Sequence, residues 1–171
     1  DNDVIFAMLR LGHRKAPILV DQFQSWLRVL IVTVSHCIEE ISVALFVDEP
    51  LESIERTLAR IPVDLVQFHG NEAPDYCQEL DHPWIKALRV QPGIDLVAHC
   101  AQYGAARAIL LDSWQQGVPG GTGRTFDWDL ARARLPLPLV LAGGLDAGNV
   151  GAAISLLRPA AVDVSGGVEA S

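Results

Sequence analysis

Cysteine, basic charge and long apolar runs are all scarce in this sequence. Its three cysteines, Cys37, Cys77 and Cys100, are odd in number and form no CxxC or Cys/His ligand spacing. That excludes a disulfide framework and a zinc site as first readings, and makes reduced thiols the default. Lys and Arg number 13 against 21 acidic residues, a formal charge of −8. Nucleic-acid binding draws on clustered basic residues, so no nucleic-acid partner is expected. No run approaches the roughly 18 apolar residues of a membrane span, so no membrane partner is expected either. The opening DNDVIFAMLRLGHRK sets acidic residues before basic ones, the reverse of a signal peptide, and the expected location is cytoplasmic.

What the chain does have is a repeating apolar pattern. At 171 residues and 50% hydrophobic it can bury one core. Candidate strands begin at Ala44 (ALFVDE), Leu65 (LVQFHG), Trp84 (WIKALRV), Ala108 (AILLDS), Leu139 (LVLAGGL) and Ala161 (AVDVSGG), at intervals of 21, 19, 24, 31 and 22 residues. Each interval holds a strand, a short helix and two loops, the period of a βα array. Leu51, Ile54 and Leu58 form one helical stripe, and Val150, Ile154 and Leu157 another. Asp48 before Pro50, and Asn71 or Glu72 before Pro74, read as helix starts. The longest interval carries the glycine-rich GVPGGTGRT, and an insertion at that single point reads as a mobile functional loop.

Alternating βα units leave an open doubly wound sheet or a closed barrel. The dinucleotide fingerprint GxGxxG is absent, and GGTGRT is not a P-loop, because Arg124 stands where Lys is needed and Val118 where glycine is. Polar and glycine residues gather instead at the strand C-terminal ends: Asp48, His69, Asp112, Gly143, and Ser165 to Gly167. That edge carries the active site of a (β/α)8 barrel, which is the better fit.

Several of these residues have two readings. Asp112 ends an apolar strand before the glycine loop, where an acid serves chemistry or merely caps a turn. His69 is a substrate contact or a structural hydrogen-bonder. Arg89 reaches an anionic group or solvates a strand end. The pairs Gly143/Gly144 and Ser165/Gly166/Gly167 make tight turns, or offer backbone N–H groups to a phosphate. Phe126, Trp114 and Trp128 read as packing rather than substrate stacking.

The segments LFVDEP, LVQFHGNE, WIKALRV, ILLDSWQQGVPGGTGRTFDW, LAGGLDAGNV and VDVSGGVE together closely resemble phosphoribosylanthranilate isomerase, a (β/α)8 enzyme of tryptophan biosynthesis. The resemblance runs from about Ala44 to Glu169 and divides the chain into an atypical segment, residues 1–43, and a barrel portion, residues 44–171. It implies an Amadori rearrangement of N-(5-phosphoribosyl)anthranilate, a small phosphorylated sugar adduct, an aldose–ketose isomerisation needing no cofactor and no metal. Asp112 matches the family's general acid, and His69 a substrate-contacting position, with Arg89 as a further substrate-binding candidate. Gly143, Gly144, Ser165, Gly166 and Gly167 match the phosphate loops. Gly121, Thr122, Gly123 and Arg124 fall in the mobile loop between Gly117 and Thr125.

The resemblance stops at both ends. The family's first strand reads like KICG, whose cysteine is the general base, and an SPR segment follows its second strand. Residues 1–43 contain neither. Cys37, in VSHCIEE, lacks that context and reads as an ordinary small thiol before a replacement base. The expectation is an incomplete barrel of family strands 3 to 8, from a truncated or frame-altered gene or a wrongly placed start. Val29 to Val34 would supply one replacement strand and Leu19 to Leu27 a short helix. Open strand edges would then favour self-association. The alternative function is an inactive remnant that at most binds a phosphorylated ligand. A neighbouring phosphosugar barrel, such as indole-glycerol-phosphate synthase, fits less well, because the LLD and GGTGRTFDW pairing belongs to the isomerase.

Overall fold

The computed structural model describes residues 6–9, 28–31, 41–113 and 125–164. Within them lie eight strands, four α-helices and one 3-10 turn: β1 (Phe6–Leu9), β2 (Arg28–Ile31), β3 (Ser42–Phe46), α1 (Leu51–Leu58), β4 (Leu65–Phe68), α2 (Pro74–Glu79), β5 (Trp84–Val90), α3 (Leu96–Ala101), β6 (Ile109–Ser113), the 3-10 turn Trp128–Ala131, β7 (Leu139–Leu141), α4 (Val150–Leu157) and β8 (Ala161–Val164).

All six strands expected from the apolar runs are present, and from β3 to β8 each pairs in parallel with the next. Their side chains alternate between two apolar layers, as the two-residue period of a strand requires. One layer faces the helices and holds Ile54, Phe68, Cys77, Trp84, Cys100, Ile109 and Leu111. Phe68 sits edge-on to Tyr76 and Trp84, with centroids 6.0 and 5.8 Å apart. The other layer, on the face that carries none of the described helices, holds smaller residues: Val43, Ile85, Ala87, Ala108, Leu110, Val140 and Ala142. Small residues there let the sheet curl around its own side chains, as a barrel interior does. The result is an incomplete (β/α)8 architecture.

The stripes of α1 and α4 face the sheet, with Ile54 and Ala153 fully buried. Phe126 and Trp128 pack against the core, in keeping with a packing role.

Three expectations need correction. Residues 1–43 contribute two strands to the sheet rather than one. β1 pairs in parallel with β8, while β2, Arg28–Ile31 within the region expected to form a strand, pairs antiparallel with β3. The described connection from β6 to β7 carries a 3-10 turn in place of an α-helix. Asp48, Asn71 and Glu72 do not start helices: α1 follows Pro50 and α2 follows Ala73, neither with a side-chain cap. Asp48 Oδ1 instead accepts from Asn71 N at 2.6 Å, and Glu72 Oε1 accepts from Asp48 N at 2.8 Å, joining the loops after β3 and β4. The expected helix at Leu19 to Leu27, Cys37 and Trp114 lie outside the described residues.

Candidate active site

Strand alternation decides which polar groups meet above the small interior layer. On β4, Leu65 belongs to that layer, so Gln67 and then His69 follow on the same face. On β6 the interior positions are Ala108 and Leu110, and Asp112 comes next. The backbone of His69 is held by its N–H donating to Phe46 O at 2.8 Å, which prolongs the β3–β4 ladder. Asp112 is 7% exposed.

These placements bring His69 Nε2 to 3.3 Å from Asp112 Oδ2. Behind the imidazole, Gln67 Nε2 lies 2.8 Å from His69 Nδ1. The second carboxylate oxygen, Asp112 Oδ1, accepts from Ser113 N at 2.7 Å. The acid thus sits between a ring nitrogen and a backbone N–H, at the mouth of the strand layer.

Gly143 closes the far side. The β6–β7 ladder continues through Ala142 N donating to Leu111 O at 2.8 Å, which carries Gly143 alongside Asp112 and Ser113. Its φ is +83°, and a Cβ there would stand 2.7 Å from Asp112 Oδ1 and closer still to Ser113 N. Only glycine leaves room for the acid. Gly144 follows with φ +65°, its carbonyl accepting from Asn149 Nδ2 at 2.9 Å. The loop entering α4 is thereby pinned.

Arg89 is the ladder partner of Asp112 across β5 and β6. The carboxylate of Asp112 turns to His69 instead, and Arg89 lines a cleft of about 500 Å³ with Gly70, Asn71, Gln91, His99 and Tyr103. Its Nε is buried with no hydrogen-bond partner among the described residues. Ser165, Gly166 and Gly167, and the loop residues Gly121, Thr122, Gly123 and Arg124, lie outside the described residues.

Gln67, Ser113 and the buried pair Glu72–Lys86 were not foreseen. For Gln67 the signal was present: a polar residue two positions before His69 in LVQFHG must share its face.

The family model described as N-(5'phosphoribosyl)anthranilate (PRA) isomerase matches residues 7–171. The chain belongs to that family. The match begins well upstream of Ala44, further than the motif resemblance reached. The N-(5'-phosphoribosyl)anthranilate isomerase of Pseudomonas putida (strain W619) is 57% identical over 128 residues, covering 75% of this chain and 62% of that protein. The isomerase of Pseudomonas putida (strain GB-1) is 51% identical over 157 residues, covering 92% of this chain and 74% of the relative. A crystal structure of phosphoribosyl anthranilate isomerase from Thermotoga maritima superposes with a TM-score of 0.65 at 38% identity, covering 75% of this chain and 63% of that one. The chain therefore spans roughly three-fifths to three-quarters of the length of these PRA isomerases.

Proposed function

We propose that this chain carries the PRA isomerase activity of tryptophan biosynthesis, an aldose–ketose rearrangement of N-(5-phosphoribosyl)anthranilate, with Asp112 as general acid. The observation that carries the reading is the 3.3 Å approach of His69 Nε2 to Asp112 Oδ2 at the C-terminal ends of β4 and β6, in a member of this family.

In that reaction Asp112 gives its proton to the furanose ring oxygen, the bond from that oxygen to C1′ breaks, and the nitrogen lone pair forms the Schiff base. A base takes the proton from C2′, and the resulting enolamine tautomerises to 1-(2-carboxyphenylamino)-1-deoxyribulose 5-phosphate. The carboxylate left on Asp112 keeps the N–H of Ser113 on one oxygen and has His69 Nε2 3.3 Å from the other, so the groups facing the developing charge are already in place. Arg89 is the further substrate contact. Gly143 and Gly144, with Ser165, Gly166 and Gly167, hold the phosphate, and that remote anchor keeps C1′ and C2′ in register with the acid. The loop containing Gly121, Thr122, Gly123 and Arg124 covers the sugar.

The test is the loss of anthranilate-adduct fluorescence when purified protein meets freshly made substrate. Turnover is expected, and Asp112→Asn should lower it by about 10²- to 10⁴-fold with the fold retained, the usual worth of a proton-transfer group. The alternative outcome is a ligand-binding form without turnover. Folded protein that binds product but shows no turnover would establish it.

A further inference from the structure

We infer that Gln67 is a positioning residue: its side-chain amide holds His69 in the Nε2–H tautomer and so presents a proton donor, not a lone pair, to Asp112. The inference deepens the isomerase reading and takes its catalytic meaning from it, while its evidence is local.

Gln67 is 2% exposed, and bulk water cannot serve its amide. Its Nε2 stands 2.8 Å from His69 Nδ1, and the opposite ring nitrogen stands 3.3 Å from Asp112 Oδ2. A neutral imidazole owns one N–H and one lone pair, on opposite nitrogens. A lone pair on Nδ1 leaves the N–H on Nε2, toward Asp112. That lone pair requires a donor, and the NH2 of Gln67 is the group facing it. The reverse orientation, with the amide oxygen toward the ring, would call for N–H on Nδ1. The Nε2 lone pair would then face the carboxylate that Asp112 becomes on giving up its proton, two acceptors 3.3 Å apart. The low exposure of the two side chains, 16% and 10%, makes that conflict costly.

The consequence for the reaction follows from which state of Asp112 the histidine favours. With N–H on Nε2, His69 presents the positive end of its ring dipole to Asp112, an attraction that strengthens as the acid gives up its proton in ring opening. The side-chain amide of Gln67 bonds to His69 and not to the acid. It acts by fixing which face of the imidazole is the donor, as carbonyl and carboxylate groups do behind other functional histidines.

The experiment is nitrogen NMR on protein labelled with 15N, the His69 ring signals being assigned by their loss in His69→Asn. In the unsubstituted protein, at a pH where its imidazole is neutral, His69 should show a protonated Nε2 and a lone-pair Nδ1. Nδ1 should carry a nitrogen–nitrogen coupling to the Gln67 amide across the hydrogen bond. Gln67→Glu places an acceptor behind the ring and should put a proton on Nδ1. In the active protein kcat should fall by about tenfold or more with KM retained, the size of effect seen when a group orienting a histidine is changed. A proton on Nδ1 in the unsubstituted protein, or a ring pattern unmoved in folded Gln67→Glu, would overturn the inference. Absence of turnover in the unsubstituted protein would instead count against the isomerase reading, and the ring pattern would still be read.

Discussion

Glu72 and Lys86 meet at 3.0 Å with both side chains only 2% exposed, joining the loop after β4 to the middle of β5. Around them Lys86 Nζ donates to Gly70 O at 2.8 Å and Phe68 O at 3.3 Å, while Glu72 Oε2 accepts from Gly70 N at 2.9 Å. The pair therefore holds the segment directly after His69. A buried ion pair contributes little net stability, but removing one partner strands a charge and costs about 3–5 kcal/mol. Lys86→Met should lower the unfolding free energy from urea titration by that amount, with a matching fall in the midpoint. The double variant Glu72→Leu/Lys86→Met should recover part of it, and not all, because the N–H of Gly70 and of Asp48 lose their acceptor. Equal midpoints for Lys86→Met and the unsubstituted protein would show that the pair does not hold the loop.

Gly143 offers a test of how closely the acid is packed. Gly143→Ala carries the usual left-handed backbone penalty, about 1–2 kcal/mol, and in addition drives a methyl group into Asp112 and Ser113. Gly93 has nearly the same φ, +84°, and a methyl group added there would meet nothing within 4 Å, so Gly93→Ala isolates the backbone cost. The expected result is a larger stability loss for Gly143→Ala than for Gly93→Ala, and turnover reduced beyond what that loss explains. Equal losses would mean that the backbone around Asp112 yields without strain.

Asp64, just before β4, is bonded to Ser42, the first residue of β3. Its Oδ2 accepts from Ser42 Oγ at 2.6 Å and from Ser42 N at 2.7 Å, and these bonds hold its carboxyl below the usual value of 3.8. A carboxyl depressed in the folded state contributes stability above its unfolded value, lost as pH falls through the lower folded one. Ser42→Ala removes the stronger influence and should flatten the acid limb of the stability curve below pH 3.8. An acid limb identical in slope to that of the unsubstituted protein would count against the link.

The legible parts of the fold are those whose pattern is local. LVQFHG and AILLDS are apolar runs ended by a polar residue, so β4, β6 and their terminal His69 and Asp112 could be read directly. The acids near Pro50 and Pro74 could not. An Asp or Glu before proline suits a helix start equally well, and what distinguishes Asp48 and Glu72 is the pairing of two loops remote in sequence. Lys86 in WIKALRV is similarly ambiguous, since alternation says which face a lysine takes but not whether a carboxylate waits there. The direction of β2 is also non-local: RVLI pairs as well with either sense, and the antiparallel choice shows only in its ladder with β3.

The two described thiols give the last prediction, and its sign follows from where they lie. Cys77 on α2 and Cys100 on α3 are fully buried in the helix-facing layer. Burial pushes each thiol from its ordinary 9.0 up to about 11, opposed at Cys77 by the nearby Lys86 charge. Between those values the unfolded chain has released protons that the folded chain keeps, so stability falls as pH rises from 9 toward 11. Tyr76 and Tyr103 are raised by burial as well and add the same slope above their ordinary 10.0. The urea midpoint should hold up to about pH 9 and then decline, and a Cys77→Ala/Cys100→Ala variant should decline less steeply, whatever its starting midpoint. Thiol labelling provides an independent check. In the native protein both groups are buried and protonated, so they should react only as fast as the structure opens, and at once in urea. Rapid native-state labelling of either residue near neutral pH would contradict the burial on which the alkaline slope depends.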